Sequence, residues 1–343
     1  MGPIRVAVDA LGGDHGPDEI VAGALDARSE RIQPVLFGPT GVETHGLELV
    51  VTTQEIAMDE KPADAVRGKP DSSLVAACRA VHEGQASAVV SAGNTGAMLA
   101  AGLVYIRRLR GVLRPAIALV IPTPKGPSVL IDAGANADCR AEHLLQFGLM
   151  GSIFAEEILD IPRPTVGLLS IGEEPEKGNQ LTLEAHELLR AGDLNFQGNI
   201  ESRGLLAHAA DVVVCDGFTG NVVLKALEGT IRTTLDLLRE EIVATPRGKL
   251  GGILIKPAAA RLRSHLDPDS YGGAYLLGLR GLSVIAHGNS SRAAIANAIR
   301  HAAHGIEHGV VKHLGERMAQ EIEEPVGDRV SIRALSESNT QER

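Results

Sequence analysis

One local pattern recurs along the chain and constrains its fold more than any other feature. It consists of an apolar strand, a polar turn rich in glycine, and an amphipathic helix, and residues 211–229 show it most clearly. A run of β-branched residues ends at Asp216, Gly217 and Gly220 bracket a turn, and a helix is predicted to begin near Asn221. Such an uninterrupted apolar run is typical of a parallel strand buried on both faces. The helix that follows is expected to point its N-terminus at the space beyond the sheet.

Repetition of this pattern predicts the fold class. Strands alternate with helices along most of the chain, which indicates an α/β fold with a mostly parallel sheet covered on both sides. We expect a single α/β domain over residues 1–322. Residues 230–273 depart from the pattern and are predicted to form a protruding helical hairpin that turns at residues 246–252. Residues 323–343 are polar and are predicted to form a flexible C-terminal tail.

Composition argues against several classes of protein. The formal net charge is −10, aromatic residues make up 2% and Trp is absent, so nucleic acid is not an expected partner. The three cysteines show no CxxC or zinc-ligand spacing, which indicates reduced thiols in a cytoplasmic protein. Residues 84–106 carry no charge, but glycines and polar side chains interrupt them, so a strand, turn and helix explain them better than a membrane span. No signal peptide is predicted.

Several predicted strands end in a carboxylate or an amide. In α/β sheets ligands bind beyond the carboxyl ends of the strands, so these residues predict a shared cleft. The turn at residues 91–96 precedes a helix, and its backbone amides can cradle a phosphate, although it matches neither the P-loop nor the GxGxxG pattern. The polar strand ends are Asp9, Asp14, Asn94, Asp132, Asn136, Glu173, Asp216 and Asn221.

Other candidate groups have ordinary structural explanations. Cys139 and Cys215 adjoin the predicted cleft, but a nucleophilic thiol needs a lowered pKa, and no His–Asp pair is recognisable beside either one. Lys177 can supply a cation to a bound anion, or it can be a surface lysine among acids. Three histidines of the last long helix share a face, but no HEXXH pattern supports a metal site there.

The predicted hairpin is basic and apolar in an otherwise acidic protein. Residues 245–265 contain no acid and are rich in leucine and isoleucine. Such a segment fits a surface-binding amphipathic element, and an oligomer contact or a solvated helix are the alternatives. The residues predicted to make this contact are Arg247, Lys249, Leu250, Ile253, Leu254, Lys256, Arg261 and Arg263.

Seven short motifs, in order along the chain, resemble those of the bacterial phosphate acyltransferase (PlsX) family. The similarity extends from residue 4 to about residue 315. The motifs are Val8-Asp-Ala-Leu-Gly-Gly-Asp14, Ser91-Ala-Gly-Asn-Thr-Gly-Ala97, Arg114-Pro-Ala116, Asp132-Ala-Gly-Ala-Asn136, Ile171-Gly-Glu-Glu174 with Lys177-Gly-Asn179, Phe196-Gln-Gly-Asn-Ile-Glu201, and residues 211–229.

The resemblance implies a reaction, a fold and partners. The reaction is transfer of a long-chain acyl group from acyl carrier protein to inorganic phosphate. The acyl phosphate produced would feed a membrane glycerol-3-phosphate acyltransferase in phospholipid synthesis. The implied fold is an α/β/α sandwich like those of phosphotransacetylases and isocitrate dehydrogenases, in a cytoplasmic homodimer bound peripherally to the membrane and needing no organic cofactor. The basic hairpin would then contact anionic lipid or the acidic carrier protein.

The implied reaction assigns roles to the polar strand ends. We predict catalytic roles for Lys177, Asn221, Lys225 and Asp216, because positioning phosphate and offsetting its charge should matter more than deprotonating it. The aspartates are expected to fix turns and lysines rather than act as bases, and no metal ligand is assigned. The predicted substrate-binding residues are Asp9, Gly12, Gly13, Asp14, Gly93, Asn94, Thr95, Gly96, Asp132, Asn136, Glu173, Asn179, Gly217 and Gly220.

Three other functions fit parts of the sequence. A short-chain phosphotransacetylase would use acyl-CoA in place of the carrier protein. A decarboxylating dehydrogenase would need a nicotinamide cofactor and a divalent metal ion. A non-catalytic scaffold would bind membranes through the hairpin and release no thiol.

Overall fold

A single twisted sheet organises the protein, and a computed structural model describes residues 2–266 and 272–323 of the chain. Within these residues eleven strands lie in the order β3-β2-β1-β4-β11-β10-β5-β6-β9-β7-β8. The strands are β1 Ile4–Asp9, β2 Ile32–Gly38, β3 Glu48–Val51, β4 Ala88–Ser91, β5 Ala116–Thr123, β6 Gly126–Ile131, β7 Thr165–Leu169, β8 Asn195–Ile200, β9 Val212–Val214, β10 Ala274–Leu277 and β11 Leu282–Ile285.

Helices connect most of these strands. A π-helical turn at Gly102–Ile106 directly follows α4. The helices are α1 Gly16–Ala27, α2 Pro62–Gly68, α3 Ser73–His82, α4 Thr95–Ala101, α5 Ala141–Leu159, α6 Gln180–Ala191, α7 Arg203–Leu206, α8 Gly217–Val243, α9 Pro246–Leu266, α10 Arg292–Glu307 and α11 Val310–Glu323.

The helices cover both faces of the sheet. A hydrophobic core lies on each face of the sheet, and successive residues of β9 point into different cores. Val212 and Val214 lie in the first core, and Val213 lies in the second. Helices α1, α5 and α10 fill the first core, and α3, α4 and the start of α8 fill the second. Burial on both faces explains why the strands read as continuous apolar runs. The α/β/α sandwich predicted from the sequence is confirmed.

The sheet consists of two parallel halves that run in opposite directions. Strands β3, β2, β1, β4 and β11 are parallel to one another, and so are β6, β9, β7 and β8. Between the halves, β10 and β5 pair antiparallel with their neighbours. Seven of the ten neighbouring pairs are therefore parallel. The reversal has a direct consequence: the carboxyl ends of the two halves lie at opposite edges of the sheet.

The structure corrects three details of the sequence prediction. Helix α8 begins at Gly217 rather than near Asn221, because Asp216 caps it through the Thr219 N–H at 2.9 Å. The turn expected at residues 246–252 is helical, since Thr245 accepts a hydrogen bond from the Gly248 N–H and Pro246 occupies the first helical position. Helix α9 then continues through Pro257. Strand β10 was not predicted; only four residues long, it gives little periodic signal.

The remaining predictions concern the ends and the surface. The C-terminal tail, apart from residue 323 at the end of α11, lies outside the described residues, as do residues 267–271 at the end of the predicted hairpin. Among the helices in the described ranges, none combines the length and apolar character needed to cross a membrane.

Candidate active site

The first group of predicted site residues lies at the carboxyl ends of β1 and β4. The buried carboxylate of Asp9 accepts hydrogen bonds from Ser91 Oγ at 2.7 Å and from the Leu11 N–H at 3.3 Å. Burial raises the pKa of Asp9, and hydrogen bonds from Ser73 and Ser91 oppose that change. A Cβ atom at Gly12 would lie 2.7 Å from both Asp9 Oδ2 and the Gly93 nitrogen. Asp9 therefore holds two closely packed loops together.

The polar side chains of the β4 turn also have structural partners. The Asn94 carboxamide oxygen accepts a hydrogen bond from the Ala97 N–H at 3.0 Å and so caps α4, which begins at Thr95. The Asn94 amino group donates to the carbonyls of Met58 and Glu60 at 3.0 and 3.2 Å. This amide is therefore engaged with the protein itself. The adjacent Gly96 packs on α2, where an added Cβ would lie 2.6 Å from Pro62 Cγ.

The loop after β1 contacts the loop after β11. The Asp14 N–H donates to the Gly288 carbonyl at 2.7 Å, and Gly13 has a φ of 121°, which favours glycine. A Cβ atom at Gly288 would lie 3.1 Å from Asp14 Oδ2. The residues that follow β11 therefore belong to the same edge of the sheet as Asp9 and Asn94.

The second group lies at the opposite edge, where β6 and β9 end. The Asp132 carboxylate accepts five hydrogen bonds, from the N–H groups of Ile117, Gly134, Ala135 and Asn136 and from the Asn136 side-chain amide, at 2.7–3.1 Å. Burial is the main cause that raises the pKa of Asp132, and these hydrogen bonds oppose it. Asp132 thus fixes the loop at the end of β6.

Glycines allow α8 to begin against this loop. The Gly217 N–H donates to the Asn136 carbonyl at 2.8 Å, and a Cβ atom there would lie 2.7 Å from Asp132 Oδ2. At Gly220 an added Cβ would lie only 1.9 Å from the Asp132 carbonyl oxygen. Any larger residue at either position would push α8 away from β6. The glycines therefore set the position of Asn221, whose Cβ packs against Gly134.

A polar stripe along α8 joins the two edges. Asn221, Lys225 and Glu228 are spaced four and three residues apart, so they share one face of the helix. Lys225 Nζ lies 2.9 Å from Glu228 Oε2, and Glu228 Oε1 lies 3.7 Å from Nε2 of His287, which follows β11. Helix α8 therefore begins beside the second group and reaches the first group three turns later.

The predicted catalytic Lys177 lies in the loop after β7. Its backbone carbonyl accepts a hydrogen bond from Ser170 Oγ at 3.0 Å, and the Asn199 amide donates to the Glu174 carbonyl at 2.8 Å. Asn179 caps α6 through the Thr182 N–H at 2.9 Å. The Lys177 side chain is exposed and has no ion pair among the residues that the structure describes, and no hydrogen bond there joins it to Asn221 or Lys225.

A large cavity of about 1190 Å³ lies between α8, α9 and the end of β5. It extends along α8 from Leu224 to Val243, roughly 28 Å at the rise of an α-helix. Leucine and isoleucine side chains form much of its wall, and Lys225, Glu228, His287 and Asn289 border the part nearest β11. The other part reaches the hairpin tip, where Lys249 and Ile253 line it. The cavity is thus long and mostly apolar, with a polar end beside β11 and further charged side chains along it at Arg232, Asp236, Arg239, Lys249 and Lys256.

The hairpin displays the predicted contact residues on its surface. Leu250, Ile253 and Leu254 are 65%, 69% and 77% exposed, which is unusual for large apolar side chains. Arg247, Lys249, Lys256 and Arg261 form no ion pair within the described part of the chain. The side chain of Arg263 lies outside the described residues.

The cysteines are poorly suited to nucleophilic catalysis. Burial raises the pKa of Cys139 to about 12 and that of Cys215 well above its ordinary value, helped by the charges of Asp132 and Asp216. Both thiols therefore stay protonated at neutral pH. In the residues that the structure describes, no three His, Cys, Asp or Glu side chains converge to hold a metal ion.

The single shared cleft expected from the sequence is corrected by the sheet topology. Strand ends meet at one edge only when all strands run the same way, and this sheet reverses at β5 and β10. Asp9, Asp14 and Asn94 lie at one edge, and Asp132, Asp216 and Lys177 lie at the other. Glu228 and His287 were not among the site residues predicted from the sequence. Glu228 lies seven residues after Asn221, a helical spacing that places it on the same face.

Comparisons with known proteins agree with this architecture. A family model described as "Fatty acid synthesis protein" matches residues 4–313. A phosphate acyltransferase from Desulfitobacterium hafniense is 48% identical over 92% of this chain and 98% of its own length. A phosphate acyltransferase from Heliobacterium modesticaldum is 44% identical over 93% of this chain and 99% of its own length.

Solved structures show the same fold at low sequence identity. A branched-chain phosphotransacylase from Enterococcus faecalis superposes with a TM-score of 0.59 at 17% identity, covering 89% of this chain and 99% of its own. A phosphotransacetylase from Streptococcus pyogenes gives 0.58 at 19% identity, covering 89% and 94%. A 4-hydroxythreonine-4-phosphate dehydrogenase from Klebsiella pneumoniae gives 0.50 at 13% identity, covering 92% and 100%.

Proposed function

The chain belongs to the fatty acid synthesis protein (PlsX) family, and from that premise we propose that it transfers a long-chain acyl group from a carrier-protein thioester to inorganic phosphate. Its relatives named phosphate acyltransferase match almost their whole length, which supports the reaction type. The product is an acyl phosphate, and the second product is the free thiol of the carrier.

The observation that carries this proposal is the cavity along α8. Its wall is mostly apolar and extends for roughly 28 Å, which suits an extended hydrocarbon chain better than a short acyl group, and charged side chains such as Arg232 and Arg239 border it along the way. Its polar end contains Lys225, one turn from Asn221, so a thioester whose chain fills the cavity would place its carbonyl beside the α8 stripe. A short-chain enzyme would have no use for so long a cavity.

The α8 stripe supplies the groups that the reaction needs. Phosphate is itself a nucleophile, so the protein must hold it against the thioester carbon and stabilise the tetrahedral oxyanion. Lys225 and Lys177 provide positive charge, and the Asn221 amide can donate to an oxygen atom. The carboxylates of Asp132 and Asp216 accept hydrogen bonds from their own loops, so their role is to position α8. The C–O bond to phosphate forms, the C–S bond breaks, and the carrier leaves through its sulfur, which ends as a thiol.

The hairpin supports a role at a surface. Its exposed leucines and isoleucines lie beside basic residues that form no ion pair in the part of the chain that the structure describes, a combination that suits a peripheral contact with anionic lipid or with an acidic carrier protein. We extend the proposal accordingly to a cytoplasmic homodimer that works at the membrane surface. Its acyl phosphate would pass to a membrane glycerol-3-phosphate acyltransferase.

Release of the carrier thiol tests the reaction directly. Palmitoyl carrier protein is incubated with the enzyme, with and without inorganic phosphate, and free thiol and acyl phosphate are measured. We expect phosphate-dependent formation of both, and little reaction with acetyl-CoA. Equal or better use of acetyl-CoA would favour a phosphotransacetylase. A change in nicotinamide absorbance that needs a divalent metal ion would favour a dehydrogenase, and liposome binding without thiol release would favour a scaffold.

A variant within the cavity tests where the chain binds. Leu235 lines the cavity, whereas Leu237 is 57% exposed and does not. Leu235→Trp should lower kcat/KM for palmitoyl carrier protein about tenfold and for butyryl carrier protein much less, because only the longer chain meets the added ring. Leu237→Trp is the matched control. An equal loss for both chain lengths would contradict this location of the chain.

A further inference from the structure

The Glu228 carboxylate is shared between two basic side chains at the polar end of the cavity. Its Oε2 lies 2.9 Å from Lys225 Nζ, and its Oε1 lies 3.7 Å from His287 Nε2. Oε1 is buried and has no hydrogen-bond partner among the described residues. A buried, unpaired carboxylate oxygen is costly, and a shift of under 1 Å would bring it within hydrogen-bond distance of the imidazole.

His287 is placed to act on a ligand in the cavity. Its side chain lines the cavity and is 34% exposed, and its other ring nitrogen, Nδ1, has no hydrogen bond to any residue in the described ranges. Among the described residues that line the cavity, it is the only histidine. Imidazole accepts and releases protons near neutral pH, which lysine and arginine side chains do not.

We propose that Lys225, Glu228 and His287 form a proton relay in which His287 moves the proton from phosphate to the departing thiolate. This relay rests on the acyl transfer proposed above and describes how the phosphate proton reaches the sulfur atom in that reaction. Once Glu228 Oε1 closes the 3.7 Å gap it accepts the Nε2–H of His287, which leaves a lone pair on Nδ1, and Lys225 holds Glu228 in place through its other oxygen, Oε2. Asp236 also lines the cavity and has no ion pair within the described residues, but it lies two turns farther along α8, away from Asn221 and Lys225.

The relay balances every atom of the reaction. As hydrogen phosphate attacks the thioester carbon and the C–O bond forms, Nδ1 takes the proton from the phosphate hydroxyl, giving an imidazolium whose charge faces Glu228. The tetrahedral oxyanion then collapses and the C–S bond breaks. The same Nδ1–H passes its proton to the sulfur, so the carrier leaves as a neutral thiol. His287 returns to its starting form and no outside reagent is consumed.

Dependence on the leaving group tests the relay. His287→Gln is assayed with two palmitoyl thioesters, one of the carrier protein and one of thionitrobenzoate, whose acidic thiol leaves without a proton. General acid–base catalysis contributes about 100-fold or more. We therefore expect about a 100-fold loss of kcat with the carrier-protein thioester and less than about a threefold loss with thionitrobenzoate. A merely structural defect would slow both donors alike, and that result would overturn the proposal.

Two further variants keep the test decisive. Glu228→Gln should give about a tenfold loss with the same dependence on the leaving group, and it serves in place of His287→Gln if that protein does not fold. His82→Gln, at an exposed position in α3, is the control and should match the wild type with both donors. Failure of the wild type to form acyl phosphate from either donor would instead reject the proposed function itself.

Discussion

The carboxylates at the strand ends and the polar stripe of α8 are both candidate site residues, but they differ in what they already bind. Asp132 is buried and accepts five hydrogen bonds from its own loop, and Asp9 is buried between Ser91 and the loop after β1. Asn221 and Lys225 are exposed, and in the described part of the chain Lys225 pairs only with Glu228.

This difference separates the groups that shape the site from those that can act in it. A carboxylate saturated by N–H donors has little capacity left for a ligand, and freeing it would leave several buried donors unpaired. An exposed amide on α8 exchanges only water for a ligand, and the Lys225 ammonium has further N–H donors besides the one that faces Glu228. The strand ends therefore position α8, and α8 presents the chemistry. Substitutions in the two regions should consequently change different observables.

The largest effect is expected at Asp132. Asp132→Ala should lower the free energy of unfolding by about 3–4 kcal/mol, because it leaves the buried donors around it without an acceptor. Chemical denaturation measures this loss. Asp138→Ala, at an exposed position in the same loop, is the matched control and should change stability by less than about 0.5 kcal/mol. Comparable stability of the two variants would show that the hydrogen bonds to Asp132 do not hold this loop in place.

Substitutions of the exposed polar residues Asn221 and Lys177 are expected to lower activity without lowering stability. Asn221→Ala and Lys177→Ala should each lower kcat for acyl phosphate formation about 100-fold, the typical cost of losing one group that stabilises a transition state, with an unchanged denaturation midpoint. Lys125→Ala, at an exposed lysine in the turn between β5 and β6, is the control for Lys177→Ala. Activity within about twofold of the wild type in either variant would reject that residue's assignment.

The local features of the strand ends and of α8 could be predicted from the sequence, but the long-range contacts between them could not. A β-branched run ending in Asp216 and two glycines predicts a strand, a capped turn and a helix, since all three depend on neighbours in the chain. Which edge each strand end occupies depends on the pairing of β5 with β10, two strands more than 150 residues apart. The contact between Glu228 and His287 likewise spans 59 residues, so helical spacing placed Glu228 on the right face but could not supply its partner.

The pH dependence of stability provides a further test of whether Asp9 belongs to the buried scaffold. Burial raises the pKa of Asp9 above that of the unfolded chain, so between the two values the folded state keeps a proton that the unfolded state has lost. Its contribution to stability is therefore present at low pH and is lost as pH rises through the folded pKa. The Asp9→Asn variant cannot titrate. As the pH falls through the folded pKa of Asp9, the wild type should gain stability over this variant by about 1 kcal/mol per pH unit.

Denaturation curves across the pH range measure that difference. Asp138→Asn is the control, since its exposed carboxylate should give a curve parallel to that of the wild type. Parallel curves for Asp9→Asn as well would show that the Asp9 carboxylate is ionised in the folded protein. It would then resemble the reactive groups of α8 more than the buried scaffold.

The smallest effect is expected at the far end of the α8 cavity, on the hairpin. Arg247 is exposed in the first turn of α9 and has no ion pair within the described residues. If the hairpin contacts lipid, Arg247→Gln should weaken binding to anionic vesicles about fivefold at low salt, the effect of one basic charge, and leave the KM for the carrier protein unchanged. If it contacts the carrier protein, that KM should rise by a similar factor while vesicle binding stays the same.

Arg110→Gln, at an exposed position remote from the hairpin in sequence, is the control. No change in either measurement would assign the hairpin charges to solvent, and would leave the cavity's outer end without a recognised partner.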